Sequence, residues 1–166
     1  MNNTITLREI QPDDNHELAE IIRSVLSEHG VARPGTVFTD PTTDALYQLF
    51  QTPGSVYWVV AVDGKLSGGC GIFPTEGLPE GCAELVKFYV AASRRGTGLG
   101  KLLMQKCFES AVKLGYTQLY LESFPELAKA VGMYEKAGFH TIPRPLGNSG
   151  HTACTLWMVK DLNINE

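Results

Sequence analysis

Three cations and three glycines fall within the run Arg94-Arg95-Gly96-Thr97-Gly98-Leu99-Gly100-Lys101. Before it stands Ala83-Glu84-Leu85-Val86-Lys87-Phe88-Tyr89-Val90, mostly apolar and rich in aromatic and β-branched residues, the composition of an interior strand. After it come Leu99, Leu102, Leu103, Met104, Cys107, Phe108, Ala111 and Val112 at helical spacing, closed by Gly115. A strand that feeds a glycine turn at the start of a helix is built to hold an anion. The first helical amides have no partner inside the helix, and the macrodipole adds positive potential there. Glycines let those amides approach the ligand, so a phosphate or pyrophosphate is the expected guest.

Spacing separates the loops that grip phosphates. A P-loop needs Gly, four residues, then Gly-Lys-Ser/Thr. Counting back from Gly100-Lys101 puts Arg95 at the first glycine, and Leu102 stands where the hydroxyl belongs. A dinucleotide fingerprint needs a third glycine three residues after the second, and that position is Lys101 or Leu103. The pattern present is Arg95-x-x-Gly98-x-Gly100, which resembles the acetyl-coenzyme A loop of the GNAT (Gcn5-related) N-acetyltransferases. The strand Glu84 to Val90 is similar to the one that precedes the loop in that family. Tyr134-Glu135-Lys136-Ala137-Gly138-Phe139 matches the family's later Tyr-x-x-x-Gly-Phe signature. The likeness runs from about Tyr57 onward. Many members carry Asn seven residues before that tyrosine, where this chain has Leu127, so the polar contact made by that Asn lacks its donor here.

The elements that must position these groups follow from periodicity and punctuation. Alternation predicts a strand over residues 4–8 with Ile5 and Leu7 inward. Leu18, Ile21, Ile22, Val25 and Leu26 form a helical stripe that ends at His29-Gly30. Residues 31–41 read as a loop and 43–50 as a short helix. Residues 56–62 and 65–73 read as a hairpin turning at Asp63-Gly64, with Gly68, Gly69 and Gly71 signalling a bulge or a close neighbour. Residues 117–122 read as a strand, 125–137 as a helix and 139–142 as a short strand. Residues 152–159 read as a last strand with Ala153, Thr155, Trp157 and Val159 on one face. Strands interleaved with helices predict an α/β fold with a mixed central sheet and helices on both faces. With 166 residues, one domain over 1–166 is expected.

Composition narrows the function classes. Hydrophobic content of 43% and charged content of 19% are those of a soluble protein. A net charge of −4 argues against nucleic acid as a partner. No apolar run approaches the ~20 residues that span a bilayer, so no membrane partner is expected. Met1-Asn2-Asn3-Thr4 lacks the charged-then-apolar pattern of a secretion signal. Cys70, Cys82, Cys107 and Cys154 lie apart in apolar patterns and read as reduced core residues of a cytoplasmic protein, without a metal site.

The resemblance implies a GNAT fold, in which two central strands splay so that a pantetheine arm lies between them. It implies acetyl-coenzyme A as cosubstrate. Arg95, Gly96, Thr97, Gly98, Leu99, Gly100 and Lys101 would take the pyrophosphate, and the main chain of Phe88, Tyr89 and Val90 would pair with the pantetheine. From Val90 back to Glu84 is roughly 20 Å at the strand rise. Glu84 is the candidate base for an amine of pKa about 10.4, protonated at neutral pH, and Glu122 is its competitor. Tyr134 is the candidate acid for the leaving thiolate. An amide of Phe88, Tyr89 or Val90 would hold the developing oxyanion. The expected reaction is acetyl transfer to a primary amine of a small molecule. A non-catalytic coenzyme A sensor, a protein-amine acetyltransferase and an unrelated nucleotide-binding protein are the alternatives. The acceptor side is expected from His29, Arg33, the 36–43 stretch and the 147–151 loop. The sequence leaves a homodimer open.

Overall fold

The computed structural model describes residues 3–149 and 153–162. Among these, the strands are β1 (Ile5–Glu9), β2 (Val56–Val62), β3 (Lys65–Phe73), β4 (Cys82–Val90), β5 (Gln118–Ser123), β6 (His140–Ile142) and β7 (Leu156–Asp161). They form one mixed sheet in the order β1-β2-β3-β4-β5-β7-β6. The pair β4/β5 is parallel, and the other neighbours run antiparallel. The helices are α1 (Asn15–Glu28), α2 (Leu46–Leu49), α3 (Leu99–Lys113) and α4 (Ala128–Lys136).

Each face of the sheet buries its own apolar layer. On one face Leu99, Leu103, Met104 and Cys107 of α3 pack on Val60, Cys70, Ile72, Leu85 and Leu119. On the other, Leu18, Ile22 and Leu26 of α1, with Leu46 of α2, pack on Tyr57, Val59 and Leu66. Helices therefore cover both faces, as strand-and-helix alternation predicted. The β2/β3 hairpin turns through Asp63 (φ 52°) and Gly64 (φ 82°), the two left-handed residues that a tight two-residue turn requires.

Four local expectations need correction. Ile5 opposes Val62 beside the hairpin turn, at the end of an edge strand, and is 49% exposed, whereas Leu7 does pack inward. The helix expected over 43–50 is a 3-10 turn at Pro41–Asp44 followed by α2. The Asp40 side chain accepts from the Thr42 amide and starts the turn, while the cap on the Tyr47 amide is Asn15 Oδ1 at 2.8 Å, from α1. That cap lies 32 residues away, beyond the reach of a local pattern. The helix expected over 125–137 likewise opens as a 3-10 turn, Pro125–Leu127, before α4. The last strand begins later than expected, because β5 sets its register from Ser123↔Leu156 to Gln118↔Asp161. Trp157 and Val159 do share a face, against Cys82 and Tyr120. Ala153 and Thr155 precede the strand, and Thr152 lies outside the described residues.

Candidate active site

The parallel pair β4/β5 is joined at Cys82↔Gln118, Ala83↔Leu119 and Glu84↔Tyr120, and its register ends there although β4 continues to Val90. Past Glu84 the two strands part. A cavity of ≈ 50 Å³ at the head of the gap brings together Glu84, Lys87, Glu122, Tyr134 and Cys154. A groove of ≈ 590 Å³ continues from it between Phe88, Tyr89 and Val90 on β4, the glycine turn, and residues of α1 and α4 such as Val25 and Met133. A larger cavity of ≈ 1010 Å³ lies along the outer sides of α3 and α4, and neither candidate carboxylate, Glu84 or Glu122, reaches it.

The turn is shaped by its glycines in two different ways. Gly96 (φ 76°) and Gly98 (φ 87°) adopt the left-handed conformation, and Gly98 is the N-cap of α3. Gly100 sits inside the helix, where a Cβ would come to 3.0 Å of Phe88 Cζ, so its smallness seats α3 against β4. Arg95, Gly96, Gly98, Leu99, Gly100 and Lys101 all line the groove. Thr97 is exposed and outside that lining, with its hydroxyl donated to the Arg94 carbonyl. Arg95 forms a two-pronged ion pair with Glu28 at the end of α1, at 2.6 and 2.9 Å. Hydrogen bonding to Arg95 holds the Glu28 carboxyl below its usual range.

Proton-handling groups cluster in the small cavity. Glu84 is 3% exposed and its Oε1 accepts from the Thr75 hydroxyl at 2.6 Å. Glu122 is half-buried and accepts from the hydroxyls of Tyr120 (2.6 Å) and Ser149. Tyr134, buried on α4, packs its ring 5.9 Å from that of Phe88. Burial holds the Tyr134 phenol well above its ordinary pKa, with Cys70 and Tyr89 adding to the shift, so it stays protonated and able to donate. The Cys154 thiol is pushed up to about 12 by burial and by Glu122 and Glu84, and it stays a thiol.

The sequence reading passed over Lys87. It is 7% exposed, its Nζ lies 3.6 Å from Asp40 Oδ2, and its φ is 52°. Burial lowers its pKa, while Asp40 and Glu84 pull it partly back. The backbone explains the odd φ. Between Gly69↔Tyr89 and Gly71↔Val86, β3 spends one residue where β4 spends Lys87 and Phe88, a β-bulge at the mouth of the gap. The Lys87 carbonyl accepts a 2.7 Å hydrogen bond from the buried hydroxyl of Tyr57. Tyr57 belongs to β2, so its ring crosses the intervening β3 to reach that carbonyl. It can do so because a Cβ on Gly69 would stand 2.5 Å from the ring, and one on Gly71 2.6 Å. The signal in the sequence was the glycine cluster together with a lone lysine in an apolar strand.

On the acceptor side, His29 lines the groove and Arg33 pairs with Glu126 at 3.3 Å near its rim. Asp40 represents the 36–43 stretch at Lys87, and Ser149 the 147–151 loop at Glu122. His151 lies outside the described residues. Among the described residues no group of three or more His, Cys, Asp or Glu is placed to hold a metal ion, and no helix is long and apolar enough to cross a membrane.

A parallel central pair that parts beside a glycine-capped helix, with a groove running from that cap to a buried carboxylate, is the arrangement of an acyl-coenzyme A transferase. The model of the Acetyltransferase (GNAT) family matches residues 18–139, and the chain belongs to that family of acyltransferases. It is 38% identical over 157 residues to the uncharacterized N-acetyltransferase YjgM of Escherichia coli K12, covering 94% of each chain. Its fold matches a GNAT-family acetyltransferase of Staphylococcus aureus Mu50 with a TM-score of 0.85 at 19% identity, over 96% of this chain and 100% of that one. It also matches yncA of Salmonella typhimurium, a putative acetyltransferase solved with its cofactor acetyl-CoA, at a TM-score of 0.76 and 18% identity, over 98% and 96% of the two chains.

Proposed function

We propose that this chain, acting as one domain over residues 1–166, transfers the acetyl group of acetyl-CoA to a primary amine of a small molecule by direct attack. The observation that carries this reading is the parting of β4 from β5 immediately past the buried Glu84, with the groove leading from there to the glycine turn. The YjgM relationship and the acetyl-CoA held by the like-folded Salmonella protein support it. Acetyl-CoA supplies an activated acyl group and a thiol leaving group. The amides of Gly96 to Lys101 at the start of α3 receive its pyrophosphate, with Lys101 adding charge at the rim. Arg95 joins them by exchanging Glu28 for phosphate. Phe88, Tyr89 and Val90 present main-chain groups along the pantetheine. Leu127 lines the same groove and offers apolar surface in place of the family's Asn.

At the head of the gap Glu84 takes the proton of the attacking amine, which an ammonium of pKa about 10.4 must lose before it is nucleophilic. Glu84 and Glu122 line this end together with Lys87, whose charge is matched by Asp40, so the balance is acidic and attracts a cationic acceptor. Tyr134 donates to the departing sulfur. The net charge of −4 favours small amines over nucleic acid, and four buried free thiols suit the cytoplasm.

Thiol release from acetyl-CoA, measured across a panel of amines with mass spectrometry of the products, tests the reaction. An acetylated amine and free coenzyme A are the expected products. Coenzyme A binding without thiol release for any amine would leave a binding module. Equal affinity for ATP and coenzyme A in calorimetry would point to a nucleotide-binding protein instead.

A further inference from the structure

Tyr57 plays no part in the reaction outlined above, yet its hydroxyl is aimed at the one irregular peptide of the central strand. We propose that Tyr57 is a positioning residue: by gripping the Lys87 carbonyl it aims the Phe88 amide N–H into the gap between β4 and β5, where that N–H holds the thioester oxygen. The proposal rests on the acetyl-transfer reading and selects one amide among those of Phe88, Tyr89 and Val90.

The geometry is that of a single peptide unit. The Lys87 carbonyl and the Phe88 N–H belong to the same planar trans group, so they point in opposite directions. The carbonyl points toward Tyr57, over β3, and accepts its hydrogen bond at 2.7 Å. The N–H therefore points away from β3, toward the side from which β5 has departed after Glu84↔Tyr120. Such a grip is needed because the bulge leaves Lys87 and Phe88 outside the β3/β4 register, which elsewhere orients each peptide. A hydrogen bond into the carbonyl also polarises the peptide and strengthens its N–H as a donor. Burial raises the Tyr57 pKa well above its ordinary value, so the hydroxyl remains a donor at working pH.

The reach across a whole strand is specifically provided for. Gly69 and Gly71 leave the α1 face of β3 bare, and Phe50 packs on the ring of Tyr57 at 4.9 Å between centroids. A ring kept only for packing would not need its hydroxyl on this carbonyl, and Phe would fill the space equally well.

Tyr57→Phe separates the two roles, because it keeps the ring and removes the hydrogen bond. Tyr116→Phe is the matched control. Its hydroxyl also donates to a backbone carbonyl, that of Gly54, at 2.7 Å, but away from the groove. Three readouts are taken on both variants and the parent: thermal unfolding, kcat and KM with acetyl-CoA, and the infrared carbonyl stretch of bound 13C-labelled acetyl-CoA. The expectation is that Tyr57→Phe lowers kcat by about tenfold with KM within about twofold, less than the 10²–10³ lost when an oxyanion donor is removed outright. The thioester stretch, red-shifted on binding to the parent, moves back toward its free value. Tyr116→Phe lowers the melting temperature but keeps kcat and the stretch. Unchanged kcat and stretch in Tyr57→Phe, or equal losses in both variants, overturn the proposal. A parent that turns over acetyl-CoA without any red shift overturns it and leaves the acetyl-transfer reading standing. A parent that does not bind acetyl-CoA overturns both.

Discussion

Glu84 and Tyr134 meet in one cavity from β4 and α4, so their division of labour is testable side chain by side chain. Glu84→Gln keeps the shape and an acceptor for the Thr75 hydroxyl but removes the proposed base. Its rate should fall by about 10²–10⁴ at neutral pH and recover in part as pH approaches the amine's own pKa near 10.4. Tyr134→Phe should slow turnover without that recovery if the group it lacks serves the sulfur rather than the amine, as proposed. Identical pH–rate profiles for the two variants, or full activity in Glu84→Gln, would move the role of base to Glu122. Lys87 makes a separate prediction about stability. Burial depresses its folded pKa, so the unfolded chain binds more protons between that lowered value and about 10.4. The Lys87 contribution to stability therefore rises with pH through that window and levels off above about 10.4. Urea midpoints of the parent and of Lys87→Met, followed from pH 7 to 10.5, should show the parent gaining on the variant as pH rises. A constant difference between them would mean that Lys87 is not desolvated in the folded protein.

At the scale of elements, the start of α3 is the most exposed to test. Gly98 is left-handed at the N-cap, and a Cβ there would meet nothing within 4 Å, so a side chain fits but carries backbone strain. Asp tolerates that conformation better than most residues. Gly98→Asp should fold, with a stability loss of about 1–2 kcal/mol, and should lose coenzyme A binding because a carboxylate occupies the proposed phosphate position. Calorimetry giving the parent's affinity in a folded Gly98→Asp would remove the turn from the cofactor site. This element was legible because its determinants are consecutive: β4, the glycines and the stripe of α3 all lie between Cys82 and Gly115. So were β2 and β3, whose ends were read to the residue from Asp63-Gly64 and the flanking apolar runs. Elements capped or registered by distant partners were not. The α2 cap comes from Asn15, and the start of β7 comes from β5. The bulge was half-legible: Gly68 to Gly71 signalled a close neighbour, but that neighbour, Tyr57, acts on a carbonyl 30 residues further along.

For the molecule as a whole, the groove matters because it is walled by helices from opposite faces of the sheet. Val25 and Glu28 come from α1 on one face of the sheet, Leu99 and Met133 from α3 and α4 on the other, and β4 lies between. The Arg95–Glu28 ion pair spans the same divide. A ligand lying in this groove ties both faces together and binds only when all of them are folded, so its binding appears as resistance to unfolding that grows with its concentration over Kd. At a concentration 100 times its dissociation constant, coenzyme A should add about 2.7 kcal/mol. For a domain of this size each kcal/mol is worth about 2–4 °C, so the melting temperature should rise by about 5–10 °C. ATP shares the adenine and phosphates but has no arm to lie along Phe88, Tyr89 and Val90. At the same concentration it should shift the transition much less. Arg95→Ala should reduce the coenzyme A shift, and Glu28→Gln, which frees Arg95 from its partner, should preserve or enlarge it. Differential scanning calorimetry of the parent and these two variants decides the matter. If coenzyme A at saturating concentration leaves the transition where it was, or if ATP moves it equally far, the groove between β4 and the glycine turn is not the cofactor site.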